Sequence, residues 1–269
     1  MNLKVYSHFH KEFPVNRNSS WLVPTFAASD EAYGPSYCTN VTRHGGGINK
    51  FWWLYSAKTD KDSFLKAMGQ QATEYWMLEQ NPTVDYIGCS TYRRYLMVDP
   101  VAPKNVAKII MPPVQDNADR LGSDEMGNNI LTYMETADVL TNHSVAVNLS
   151  IESQYLESQP REYWDKFIEA IDVLYPDYRK HLTWFKQCNI INFETCYVMR
   201  RQAFRKYATE LFEILEYIFK NCSNVYPTVQ TTSEPLPWRY PGFLGERFFP
   251  FFMYANGLKR IQVPLVVLQ

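Results

Sequence analysis

The feature that most constrains this chain is an amphipathic helix followed almost at once by a short buried strand. Between residues 62 and 80, Phe64, Leu65, Met68, Ala72, Tyr75, Trp76 and Glu79 fall on one stripe, apolar except for the last. Asp62 is a suitable N-cap, and Asn81-Pro82 stops the helix. Asp85-Tyr86-Ile87-Gly88-Cys89 then reads as a largely apolar strand. Helix, turn and strand in that order make an α/β unit, which requires a sheet with helices laid on it. Glu74 lies near the apolar face and reads as a solvated glutamate, with inward pairing to an arginine as the alternative.

The strand empties into Ser90, Thr91, Tyr92, Arg93 and Arg94. Hydroxyls and two adjacent guanidinium groups at the carboxyl end of a strand suggest an anion site, since open α/β sheets bind ligands there. Arginine forks match phosphate oxygens bidentately, so a nucleoside diphosphate is a natural guest. The alternative is structural: one arginine on the surface and the other paired with a core carboxylate.

Around this unit the chain alternates strands and helices. Leu3-Lys4-Val5-Tyr6 is a first strand, ending in Ser7-His8-Phe9-His10-Lys11, where polar residues such as His8 meet either a ligand or a metal. A metal needs ligands beyond the two histidines. Trp21-Leu22-Val23-Pro24 is a second strand; residues 27–50 read as loop, and Gly45-Gly46-Gly47 is no P-loop because no GK[ST] follows. Ile109-Ile110-Met111 is a strand before Pro112-Pro113. The polar stretch 115–129 then has the composition of an exposed loop or lid. Its Asp116, Asp119, Asp124 and Glu125 either hold Mg²⁺ or Mn²⁺ or are simply solvated.

Residues 137–141 form another strand, and residues 162–175 an amphipathic helix. The stretch 188–198 reads as a strand presenting Asn192 and Glu194 before it enters the core. Residues 201–220 carry the strongest helical period, and the proline-rich stretch 223–241 reads as loop. Gly242-Phe243-Leu244-Gly245-Glu246-Arg247 opens an aromatic segment expected to be helical, with Pro250 tolerated only in a first turn. Glu246 is there either a helix-start carboxylate favoured by the macrodipole or a base placed beside a substrate. A last strand spans residues 260–268, and Pro264 puts it at an edge.

A net charge of −1 gives no global attraction to nucleic acid, so phosphate recognition must be local. Five cysteines without a CxxC spacing argue against zinc and a disulfide framework and favour a reducing compartment. No apolar run reaches the roughly 18 residues of a membrane span, and the first residues lack a signal-peptide core. A soluble, cytoplasmic protein is expected.

Several stretches, in order, resemble a bacterial family of capsular polysaccharide or exopolysaccharide synthesis proteins. They are Ala72-Thr73-Glu74-Tyr75-Trp76, Asp85-Tyr86-Ile87-Gly88 with Tyr92-Arg93-Arg94-Tyr95, residues 192–199, and Gly242-Phe243-Leu244-Gly245-Glu246-Arg247. The family is viewed as glycosyltransferases related to the GT-A nucleotide-sugar fold. The resemblance therefore implies an α/β, GT-A-like (Rossmann-related) mixed sheet flanked by helices. It implies a single domain over residues 1–269, with loop insertions near 27–50, 112–130 and 223–241. It implies a hexosyltransferase that takes a nucleotide-sugar donor, a UDP-sugar foremost and UDP-galactofuranose among the candidates. The acceptor would be a glycan or lipid-linked glycan of a surface polysaccharide, reached in the cytoplasm or at the inner face of the membrane.

On this resemblance Tyr92, Arg93, Arg94 and His8 face the donor diphosphate, and Arg247 either joins them or orients Glu246. Glu246 is the base, and Asn192 and Glu194 contact the acceptor. Many GT-A enzymes hold a divalent metal with Asp-x-Asp after a central strand; here Ser90-Thr91-Tyr92-Arg93-Arg94 stands in that place. Arg93 and Arg94 are thus expected to replace some or all of the charge of Mg²⁺ or Mn²⁺. The chain departs from the family at Thr91, where histidine is usual. Two other readings remain: a non-catalytic nucleotide- or sugar-binding module, and another phosphate-handling transferase.

Overall fold

The computed structural model describes residues 2–9, 11–27, 35–41, 68, 70–103, 105–193, 196–222 and 240–269. Gly45-Gly46-Gly47, His10, Glu194, residues 62–67 of the expected first helix and most of the stretch 223–241 lie outside them. A mixed sheet runs through the described residues. Strand β4 (Tyr86–Thr91) pairs in parallel with β1 (Leu3–Phe9), which pairs in parallel with β2 (Leu22–Phe26), and β2 with β3 (Thr39–Asn40). On its other side β4 meets β10 (Tyr197–Arg200), which lies antiparallel between β4 and β7 (Val139–Asn142). Strand β11 (Arg260–Val263) continues in parallel beyond β7, and β8 (Val145–Ala146) pairs antiparallel with β9 (Ile190–Ile191) in a separate two-stranded sheet.

Gly88 explains how β4 fits between its neighbours. A Cβ there would stand 2.5 Å from the Tyr197 carbonyl oxygen and 2.9 Å from methyl groups of Val198 and Val5. Only a residue without a side chain lets the central strands approach this closely. Just past β4 the chain turns back into β5 (Arg94–Leu96), with Thr91 opposite Arg94. Strand β12 (Leu265–Leu268) runs antiparallel to β5 and parallel to β6 (Lys108–Met111). The single last strand expected from the sequence is therefore two strands split at Pro264. Strand β11 lies at an edge, whereas β12 is interior between β5 and β6.

Helices cover both faces. One face of the sheet carries α1 (Gln70–Gln80), α5 (Arg161–Leu174), α7 (Arg201–Asn221) and α8 (Tyr240–Ala255), whose apolar stripes meet Tyr6, Ile87, Cys89, Tyr197 and Met199. Short α4 (Ile151–Leu156) and α6 (Arg179–Gln187) complete that layer through Tyr155 and Phe185. The other face, with Val5, Phe9, Leu140 and Val198, receives α2 (Gln115–Leu121) and α3 (Asp124–Met134).

These last two helices correct the loop or lid expected over 115–129. Ala118 and Leu121 of α2, and Met126, Ile130 and Met134 of α3, bury a narrow apolar stripe against the sheet. Ser123 caps α3 by accepting from the Met126 amide at 3.4 Å. Asp124 and Glu125 sit in the first turn of α3, where the macrodipole favours carboxylates.

Helix α8 differs from expectation as well. Pro250 lies well inside its 16 residues, not in a first turn. It costs the helix one ladder bond, the one that would otherwise reach back to the carbonyl of Glu246. Glu246 accordingly stands mid-helix, so the macrodipole reading of that carboxylate falls. Burial of Phe248, Phe249, Phe251 and Phe252 holds the helix together despite the proline.

Glu74 is corrected too. It is only 2% exposed and meets no arginine among the described residues: Tyr197 donates its hydroxyl to Oε1 at 3.0 Å, and Gln70 donates Nε2 to the same oxygen at 3.1 Å.

Candidate active site

Strands β1, β2 and β4 run in parallel, so their carboxyl ends form one rim. Helix α1 precedes β4 and packs antiparallel across it, which brings its first turns to the same rim. There His8 Nδ1 and Thr73 Oγ1 lie 3.0 Å apart, and Thr73 Oγ1 is 3.2 Å from Thr25 Oγ1. Thr25 in turn donates to the Ser7 carbonyl at 3.1 Å. His8 is also the register partner of Thr91, whose hydroxyl is buried with no hydrogen-bond partner among the described residues.

The ladder between β1 and β4 extends one residue further. The Tyr92 amide donates to the His8 carbonyl at 2.9 Å, which fixes where the turn with Arg93 and Arg94 begins. Tyr92 itself is 7% exposed and packs edge-on to Phe13, with ring centroids 5.0 Å apart. Two cations lie near its ring: the Arg93 guanidinium at 5.7 Å from the centroid and Lys11 Nζ at 5.6 Å. Tyr92 thus forms a floor for positive charge. The arginine turn is anchored by its backbone, since the Arg93 carbonyl accepts from the Leu268 amide at 2.8 Å. Tyr95, three residues on from Tyr92, donates its hydroxyl to the Tyr92 carbonyl at 3.2 Å. Arg93 and Arg94 are both half-buried.

His8, Thr91, Tyr92, Arg93 and Arg94 therefore come together. Lys11 joins them; its only sequence signal was its place just after the first strand. Arg247 is anchored within the helical layer by protein partners. Its side chain is fully buried, with Nη1 donating to the Phe243 carbonyl at 2.7 Å, Nη2 to Gln154 Oε1, and the guanidinium 5.2 Å from the Tyr155 ring. Burial pushes its pKa down, and the neighbouring Glu246 charge opposes that shift. Asn192 is also fully buried, donating to the Asn142 carbonyl at 2.9 Å and accepting from the Ser144 hydroxyl at 2.9 Å. It braces the end of β7.

Glu246 keeps a third of its side chain exposed, 3.8 Å from Arg247 Nη1. Buried Glu74 is the titratable group that sequence reasoning misjudged. Burial pushes its carboxyl up to about 7, against the bonds from Gln70 and Tyr197.

The family resemblance implies a divalent metal, but the residues at the end of β4 do not fit one. That turn supplies hydroxyls and cations, and no group of three or more His, Cys, Asp or Glu side chains among the described residues is placed to hold a metal ion.

Residues 70–257 match the family described as a domain of unknown function (DUF4422). No curated protein matches the chain. Among solved structures, the chain is similar to a WbbM bifunctional glycosyltransferase in its apo form, with a TM-score of 0.76 and 18% identity. The likeness covers 99% of this chain and 45% of that one, so the chain spans about half the length of the enzyme it matches. At that identity the likeness concerns the fold: a GT-A-like mixed sheet flanked by helices. No helix of the described residues is long and apolar enough to cross a membrane.

Proposed function

The chain belongs to the family described as a domain of unknown function (DUF4422), and from its fold and the cations on its rim we propose that it is a nucleotide-sugar-dependent glycosyltransferase. The observation that carries the reading is the Arg93-Arg94 turn at the carboxyl end of β4, with Lys11 and His8 beside it. Cations on that rim are suited to a diphosphate leaving group. Lys11 and Arg93 gather around the Tyr92 ring, while Tyr92, a donor contact in the sequence reading, acts as their support.

In the proposed reaction the bond between the anomeric carbon and the diphosphate oxygen breaks as an acceptor hydroxyl oxygen bonds to that carbon. Negative charge grows on the diphosphate, where Arg93 and Arg94 stabilise it. The acceptor proton goes to Glu246, and attack on the face opposite the departing diphosphate inverts the anomeric centre. Arg247 we assign to holding α8 rather than to phosphate, and Asn192 to bracing the sheet rather than to touching the acceptor. Glu194, outside the described residues, stays the acceptor contact suggested by its place in sequence. A UDP-sugar is the favoured donor, UDP-galactofuranose among the candidates. A glycan or lipid-linked glycan of a surface polysaccharide is the favoured acceptor, met in the cytoplasm or at the inner membrane face.

The test is incubation with a panel of UDP-, GDP- and CMP-sugars while nucleotide release is measured. Slow hydrolysis of one donor is the expected result, and Glu246→Gln should lower kcat far more than donor affinity. Binding of a donor without turnover, with acceptor supplied, would favour a non-catalytic binding module instead.

A further inference from the structure

Residues 70–74 of α1 read Gln-Gln-Ala-Thr-Glu, and three of these polar side chains are buried: Gln71, Thr73 and Glu74 are 5%, 0% and 2% exposed. Buried polar groups persist where hydrogen bonds repay their lost hydration. Here each reaches a different element. Thr73 meets His8 of β1 and Thr25 of β2, Glu74 meets Tyr197 of β10, and Gln71 donates Nε2 to the Pro241 carbonyl of α8 at 2.8 Å. One turn of helix thus ties the rim that carries His8 to the helix that carries Glu246.

The contact with α8 has almost no slack. A Cβ on Gly245 would stand 1.8 Å from Gln71 Nε2 and 3.0 Å from its Cδ, so the amide lies directly on the glycine. On the far side of Glu246, Arg247 is held by Gln154 and the Phe243 carbonyl. Residues 245 and 247 are both buried while 246 between them projects partly outward. Pro250 withholds the ladder bond from the Glu246 carbonyl, so the segment relies on these side anchors more than a regular helix would.

We infer that Gln71 is a positioning residue: its amide, seated on Gly245 and bonded to Pro241, fixes the Glu246 carboxylate relative to the rim of β1 and β4. The inference rests on the reading of Glu246 as the base. Misplacing a base by about 1 Å costs up to about a hundredfold in rate. The role differs from core packing because methionine would fill the same space without the donor.

The experiment compares wild type, Gln71→Met, Gly245→Ala and the double variant by kcat, donor Kd, thermal midpoint, and hydrogen exchange over residues 243–247. Each single variant should lower kcat at least about tenfold with donor Kd within about threefold. The double should be no worse than the poorer single, because both break one contact. Exchange at 243–247 should quicken in Gln71→Met while β1 and β4 keep their protection. Unchanged exchange overturns the inference, and so does faster exchange with wild-type kcat. Additive losses of thermal midpoint with no change in kcat mean packing alone, and also overturn it. If wild type turns over no donor, the proposed glycosyl transfer fails on that result. The exchange measurement then still decides whether Gln71 holds this segment.

Discussion

Tyr197 donates its hydroxyl to Glu74 at 3.0 Å inside the interface between β10 and α1, two residues separated by 123 positions in sequence. Around the pair lie Gln70 on the same helix, Cys89 of β4 and Tyr207 of α7. The thiol and both phenols are pushed well above their ordinary ranges, chiefly by burial and then by Glu74, so they stay neutral beside it.

This environment sets a pH dependence. The Glu74 carboxyl rises from about 4.5 to about 7 on folding because burial disfavours its charged form. Between those values the folded chain holds a proton that the unfolded chain has released. The contribution of Glu74 is therefore fully present below pH 4.5 and is lost as pH rises through 7, by up to about 3 kcal/mol. Glu74→Gln keeps an acceptor for Tyr197 and carries no charge. Denaturant melts at pH 5 and pH 8 should show a smaller drop in the variant, with stability at pH 8 at least equal to wild type. An unchanged drop would contradict this.

Arg247 offers a direct choice between core and ligand. Arg247→Ala leaves Gln154 without its side-chain donor, removes the guanidinium bond to the Phe243 carbonyl and opens a cavity beside Tyr155. The expected loss is at least about 3 kcal/mol of stability, with donor affinity of the folded fraction within about threefold of wild type. A variant with the wild-type midpoint but no donor binding would make Arg247 a phosphate contact after all.

Charge supplied by arginine rather than metal has its own signature. Donor turnover should survive EDTA, and Arg93→Ala or Arg94→Ala should each weaken nucleoside diphosphate binding by about tenfold, corresponding to the loss of one charge-assisted contact. Activity abolished by EDTA and restored by Mn²⁺ would overturn the substitution.

Much of the scaffold was legible in local pattern. Tyr86–Thr91 is a strand because an apolar, aromatic-bearing run follows a proline stop, and the hydroxyls and arginines after it do lie at the rim. Helix α7 is legible because its apolar residues keep helical spacing along its whole length. Where reading failed, composition masked period or the deciding partner was distant. Over 115–130 a thin stripe of Ala118, Leu121, Met126 and Ile130 is diluted by acids and amides, so two helices that bury only that stripe looked like a loop. Pro250 suggested a helix start because the aromatic packing that offsets an interior proline is tertiary. Glu74 looked solvated because Tyr197 reaches it only across the fold.

The central claim is that the turn after β4 binds the diphosphate of a nucleotide sugar. It is tested most directly by a crystal structure of the chain with a bound nucleoside diphosphate, UDP first. The account predicts phosphate oxygens within hydrogen-bond distance of Arg93 or Arg94, on the rim shared with His8. A diphosphate held elsewhere, with both guanidinium groups facing protein carboxylates or solvent, would contradict it.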